Sequence, residues 1–360
     1  LIKTILYLRF LVFYFVIRVL IYKNIINFKP FFISCSLCTY FVCLDLIYQL
    51  NFGKDIFGYR SLDPRRLSGP FGENEAIAGS YLQRFSVFTF FLIPFFFKNK
   101  NKNYLYLFII FSLILIIIGL IISGNRMPLV LFIILIVGVF SFYKKMRKFL
   151  WVSLLSLLVI GIISAKLSPN IYNHYHSFKS KTFLIVEFVA TVIIKDKKSK
   201  YLEDKDNIIE WYKYSVNVNG KVIPLNSNYI KEFNSGFQTW LEHKYIGGGI
   251  KSFRYNCVTF NCNTHPHNYY LEILSELGLI GLVFLVIIFF QVFYKSFFKK
   301  DIQKNNLNYS QVITPFMFLF LIEIFPIKST GSFFTTGNAT YFFLIMSVTI
   351  ALSHMSKKKI

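Results

Sequence analysis

The chain has 360 residues, 55% of them hydrophobic, with 44 Phe, 23 Tyr and a mean hydropathy of +0.52. A soluble domain of this size could not hide that much apolar surface, so the composition specifies an integral membrane protein. The formal net charge of +23 could suit a nucleic-acid partner, but the basic residues lie mostly in short runs between apolar segments, where they orient helices, and no nucleic acid is expected.

Nine apolar segments of roughly twenty residues are expected to span a bilayer. They lie near 5–22, 31–50, 79–97, 104–122, 127–143, 149–165, 269–294, 310–326 and 337–353. The expected fold is therefore an all-α polytopic membrane protein in three parts: six helices over 1–165, a large loop over 166–268, and three helices with a basic tail over 269–360. The chain begins at Leu1 and shows no signal-peptide pattern, from which further helices upstream are expected.

Orientation follows from the connecting charges. The connections 23–30, 98–103, 144–148, 295–309 and 354–360 carry 16 Lys and Arg, whereas 51–78, 123–126 and 327–336 carry 6. The positive-inside rule assigns the first set to the cytoplasm, and the loop 166–268 then falls on the external, periplasmic side.

In chain order, Cys35, Cys38 and Cys43 lie in an apolar helix and read as inert core thiols. The first external connection carries Arg60 and then Arg65-Arg66-Leu-Ser-Gly-Pro-Phe-Gly72. Arg84 lies a turn inside the next helix and can either snorkel to the interface or bind a ligand. A second external turn, Ser123-Gly-Asn-Arg126-Met-Pro128, sets a guanidinium at the membrane surface. Several arginines on the face where positive charge is scarce point to an anionic ligand, most simply a phosphate or diphosphate.

Within the large loop, Trp211 to Val218 alternates, turns at Asn219-Gly220 and resumes to Leu225, which predicts a β-hairpin. A helix is expected over 227–245 and ends at Gly247-Gly-Gly249. Cys257 and Cys262 follow, and an external disulfide between them competes with a Cys/His zinc site. The His-x-His pairs at 174–176 and 265–267 lack a neighbouring carboxylate, and no metal is assigned. In His265-Pro-His267-Asn268, Asn268 is a good N-cap for the long apolar helix that follows. Gly278 and Gly281 in that helix permit close approach of a neighbour. Glu276 either pairs with an arginine or His267, or forms a helix–helix hydrogen bond.

These stretches carry a resemblance. His267-Asn268, nine residues, then Gly278-x-x-Gly281 at the close of a large external loop resembles the signature of the O-antigen ligase and O-antigen polymerase superfamily. Arg66-Leu-Ser-Gly-Pro-Phe-Gly72 with Gly79-Ser-Tyr-Leu82, the turn Ser123-Gly-Asn-Arg126, Trp240 with Gly247-Gly-Gly-Ile-Lys-Ser-Phe253, and Gly331-Ser-Phe-Phe334 are similar to other parts of that family. The resemblance implies a GT-C-like glycosyltransferase of the bacterial inner membrane with no cofactor. Its donor would be a polyprenyl-diphosphate-linked glycan, and its acceptor lipid A–core, another glycan or a protein hydroxyl.

In that chemistry His267 would be the base, and Arg126, Arg66, Arg65 and Arg60 would stabilise the leaving diphosphate. Asn268, His265, Glu276, Gly278 and Gly281 would support them. The family often carries an arginine in the helix before the glycine-rich approach. This chain offers only Lys231 and Lys244 there, so that role is unassigned. A transporter or flippase for an anionic lipid-linked substrate is the competing class, and Glu323 and Arg9 are the candidates for the midplane charge it would need.

Overall fold

The computed structural model describes residues 2–63, 65–73, 75–92, 102–142, 147–167, 215–218, 221–224, 228–257, 263–298, 307–328 and 331–355. Among them the protein is helical apart from one two-stranded ribbon. Four helices are long and apolar enough to cross a membrane (Ile5–Tyr22, Phe28–Phe52, Tyr269–Phe297 and Thr336–His354), and four shorter apolar helices accompany them.

The chain forms two compact units: Leu1–His174 with Val286–Lys328 and Thr336–Ile360, and Tyr175–Leu285 with Ser329–Thr335. The first unit opens with α1 (Ile2–Tyr22) and α2 (Phe28–Phe52). Asn27 caps α2 by accepting a hydrogen bond from the Lys29 amide, and Gly53 ends it in the left-handed region at φ 74°. The segment expected at 79–97 appears as α3 (Ala78–Phe85) and α4 (Val87–Phe91), which meet at Ser86, and residues beyond 92 in that segment lie outside the described residues. Then come α5 (Lys102–Ile122), α6 (Arg126–Phe142) and α7 (Arg147–Leu167).

The first unit closes with the part of the helix α10 (Tyr269–Phe297) from Val286 onward and with α11 (Leu307–Glu323) and α12 (Thr336–Met355). Its core is aromatic. Phe88 packs within 5.0 Å of Phe32 and 5.1 Å of Phe316, centroid to centroid, and all three are buried. Such tilted ring pairs add to the area-driven term.

The second unit holds the ribbon, β1 (Ser215–Val218) antiparallel to β2 (Lys221–Pro224), with Val218 opposite Lys221. It continues with α8 (Asn228–Glu242), the single turn α9 (Phe253–Asn256) and the first part of α10 (Tyr269–Phe297). Helix α8 is shorter at its end than the expected 227–245. The indole of Trp240 donates to the Lys244 carbonyl at 2.9 Å, and Gly247 carries φ 75°.

Helix α10 departs from the uninterrupted span predicted at 269–294, because Gly278 breaks it at φ 69°, ψ −172°. The interruption frees backbone groups on both sides, and the 244–249 segment takes them up. Leu279 and Ile280 donate to the carbonyls of Lys244 and Tyr245, at 2.9 and 3.1 Å. Gly248 and Gly249 donate to the carbonyls of Ser275 and Glu276, at 3.0 and 2.8 Å. The backbone groups freed at the break are satisfied in this way without a continuous helix. A Cβ built on Gly278 would stand 2.2 Å from the Tyr245 oxygen, so both the sign of φ and the closeness of the strand require glycine.

Candidate functional site

In the first unit, the end of α2 organises the arginine-bearing loop. Asp45 Oδ1 accepts from the Ile56 amide at 2.8 Å, and Asp55 Oδ1 accepts from Phe57 and Tyr59 at 3.0 and 2.7 Å. Gln49, also buried, accepts from the Gly69 amide at 2.9 Å and donates to Ser68 Oγ at 3.3 Å. The loop is thus pinned at both ends by polar side chains of one helix.

Arg60, Arg65 and Arg66 stand exposed on this loop. Arg65 is engaged by Asp63 in a two-pronged pair at 2.9 and 3.2 Å, which holds the Asp63 carboxyl below the usual carboxylate range.

The loop and the Ser123-Gly-Asn-Arg126 turn are packed together, which spacing alone did not reveal. A Cβ on Gly124, at φ 64°, would fall 2.1 Å from the Arg65 carbonyl oxygen and 3.3 Å from Arg66 Cα. A Cβ on Gly79 would meet Asn125 and Ser123, each at 2.6 Å. Three glycine-containing stretches singled out in the sequence therefore converge around the backbone that leads into Arg126, which is half-buried at the start of α6.

Arg84 does not snorkel. It is largely buried and donates to Glu323 Oε1 at 2.8 Å and Asn338 Oδ1 at 2.9 Å, with its guanidinium 4.6 Å from the Tyr341 ring centre. Lys328, which sequence reasoning did not single out, reaches the same Glu323 oxygen at 2.5 Å and is 2% exposed. Burial pushes its ammonium down to about 8 despite the carboxylate beside it. Glu323 is thus a buried counter-ion to two cations, and Arg9 donates to Thr336 Oγ1 at 3.0 Å.

The second unit carries the histidines. Asn268 caps α10 as predicted, its Oδ1 accepting from the Tyr270 and Leu271 amides at 3.0 and 3.2 Å. Just ahead of it, His267 adopts φ 52°, in the left-handed region that side chains other than glycine rarely enter. Its Nε2 lies 3.6 Å from Glu232 Oε1 on α8, and its ring centre is 4.2 Å from that of His265. Burial lowers the affinity of His267 for a proton, so the imidazole is neutral and basic at neutral pH.

His265 is pushed further, to about 4, first by burial and then by His267 and Arg254. Its Nδ1 pairs with Thr264 Oγ1 at 3.0 Å. Of the two histidines, His267 is the one beside a carboxylate.

Glu276 is held chiefly by backbone amides, with Arg254 acting on it electrostatically. Its carboxylate accepts from the backbone amides of Lys251 and Phe253, at 2.5 and 3.4 Å, and so anchors the chain just past the three glycines. Glu272, four residues earlier and 2% exposed, had not been singled out. It accepts from Ser332 Oγ and from the Phe333 amide at 2.6 Å, holding the Gly331-Ser-Phe-Phe334 stretch against the start of α10. Its place four residues before Glu276, on the same helical face, was the signal that could have found it.

Gly281 has a less specific environment than Gly278: a Cβ there would meet Leu277 of its own helix. Cys257 is disulfide-bonded, which removes it as a zinc thiolate, and Cys262, its expected partner, lies outside the described residues. His174 and His176 also lie outside them. No group of three His, Cys, Asp or Glu suited to a metal ion occurs among the described residues.

Residues 111–286 match the family model described as O-antigen ligase, which supports the O-antigen ligase/polymerase superfamily for this protein. That stretch contains Arg126, the large loop and the His267 corner. No curated protein matches the chain.

Proposed function

We propose, from the O-antigen ligase match over residues 111–286, that this multi-pass membrane protein transfers a glycan from polyprenyl diphosphate to an acceptor hydroxyl at the periplasmic face of the inner membrane. Glycan transfer of the ligase or polymerase type, in surface polysaccharide synthesis, is what the family does. The donor, the compartment and the residue roles are this proposal's own.

The acceptor oxygen attacks the anomeric carbon while its proton passes to the His267 imidazole. The bond from that carbon to the diphosphate oxygen breaks, and the diphosphate leaves with the electron pair. Arg126 and Arg66 hold the charge that grows on it, since guanidinium is permanently ionised and matches phosphate oxygens two at a time. Arg60 adds to the positive field of the loop, and Arg65 acts mainly through its Asp63 pair. The acceptor is lipid A–core, a further repeat unit or a protein hydroxyl.

The observation that carries this reading is His267: a half-buried, neutral imidazole in a strained backbone position, inside the matched stretch. Such strain persists where the surroundings enforce it, and it concentrates at functional sites. In a transfer assay with purified lipid-linked donor, His267→Asn and Arg126→Ala are each expected to lower the rate at least a hundredfold, on the order of the loss of a general base or an oxyanion donor. Asn is chosen because it tolerates a positive φ, so the corner should survive. Wild-type rates in both variants would refute the assignment.

A further inference from the structure

The His267 corner is seated on α8 by a glycine. A Cβ on Gly236 would stand 2.8 Å from Pro266 Cβ and 3.2 Å from Leu271 Cβ, so the bare backbone lets the His-Pro-His turn settle against the helix. Glu232 lies four residues earlier on α8, hence on the same face as Gly236, and this places its carboxylate at His267. The Glu232 side chain is 13% exposed and that of His267 is 31% exposed. Glu232 Oε1 also accepts a hydrogen bond from Asn263 Nδ2.

Three residues therefore form a chain, amide to carboxylate to imidazole, across α8 and the loop before α10. Among the described residues, His265 on the same loop and Arg254 of α9, which acts on His265, are further titratable or charged groups near this pair.

We propose that Glu232 is the positioning residue for His267. Its carboxylate accepts a hydrogen bond from Nε2–H, which leaves the Nδ1 lone pair for the acceptor hydroxyl, while Asn263 fixes the carboxylate's orientation. As the hydroxyl proton arrives on Nδ1, the imidazole becomes a cation beside an anion, and no proton needs to pass to Glu232. This is how a carboxylate supports a histidine base in general. The 3.6 Å separation shortens when substrate closes the site, as catalytic hydrogen bonds commonly do. The inference rests on His267 being the base, and it adds the group that sets its tautomer and basicity.

The test uses the full chain in lipid nanodiscs with isotope-labelled histidine. The His267 resonance is identified by its loss in His267→Asn and titrated by NMR in wild type and in Glu232→Gln. Removing the carboxylate charge while keeping the shape should lower the His267 titration midpoint by about one pH unit. The transfer rate constant kcat should fall roughly tenfold with KM little changed, and its acid limb should move to lower pH with the midpoint. Glu232→Asp should restore part of the shift. An unchanged His267 midpoint in Glu232→Gln would overturn the proposal whatever the activity. Full transfer by His267→Asn would instead overturn the base assignment, while the titration would still decide whether Glu232 and His267 are coupled.

Discussion

At the scale of single residues, environment separates groups that look equivalent in the sequence. His265 and His267 stand two apart around a proline, yet one is held through Thr264 and driven to about 4, whereas the other faces a carboxylate at a positive φ. The arginines diverge too: Arg65 is tied to Asp63 in solvent, and Arg84 is drawn inward to Glu323. That inner cluster gives an ordered prediction. Arg84 and Lys328 share one carboxylate oxygen, so removing either cation leaves Glu323 still paired, while removing Glu323 leaves two buried cations facing each other. Glu323→Ala should therefore cost about 3–5 kcal/mol, the range for an uncompensated buried charge, and Arg84→Ala distinctly less. Thermal unfolding in detergent would read the order of the two, and equal losses would mean that Lys328 does not act as a second partner.

At the scale of elements, the two glycine motifs prove to be halves of one device. The sequence showed Gly247-Gly-Gly249 as a helix stop and Gly278-x-x-Gly281 as a smooth face for a neighbour. Neither reading anticipated that α10 would open at Gly278 and hand its unpaired amides and carbonyls to the 244–249 segment. Periodicity could not reveal this, because an apolar helix with one glycine looks the same whether or not it is broken there. By contrast, the Asn268 cap was legible, since a cap depends on local chemistry, whereas α8 stops at Glu242, ahead of the glycines expected to end it. The break makes Gly278→Ala a sharp test. Its Cβ would press on the Tyr245 carbonyl at 2.2 Å and require a φ of 69°, so a loss of at least 1–3 kcal/mol, about the cost of one strained backbone position, is expected. Gly281→Ala would bring its Cβ to 2.3 Å from Leu277 Cβ but lacks the positive φ, so it should also destabilise, by less than Gly278→Ala. Equal tolerance of both in a thermal scan would mean that the break is not needed by the fold.

At the scale of the whole molecule, the membrane class was legible from composition alone, and each predicted span has a helix or part of one in the structure; among the described residues four meet the length and hydropathy needed for crossing by themselves. The packing of the 65–66 loop on the 123–126 turn was not legible, because it depends on tertiary approach at Gly124 rather than on any local pattern. Orientation is a separate question, since helices packed in either direction across a bilayer have the same internal contacts. Two physical arguments bear on it and they point the same way. The charge bias between the two sets of connections puts 51–78 outside. A disulfide at Cys257 belongs in an oxidising compartment, and Cys257 lies in the loop that the same bias puts outside.

With Cys35, Cys38 and Cys43 replaced by alanine and the disulfide kept, a single cysteine at the well-exposed Leu62 should react with a membrane-impermeant maleimide in intact cells. One at Asn24, in the basic 23–30 connection, should react only after the inner membrane is opened. The reverse pattern would place the disulfide in the cytoplasm and Arg60, Arg65 and Arg66 on the cytoplasmic face. A transferase drawing its donor from the periplasmic leaflet would then be excluded, because the groups assigned to its leaving diphosphate would lie on the wrong side of the bilayer.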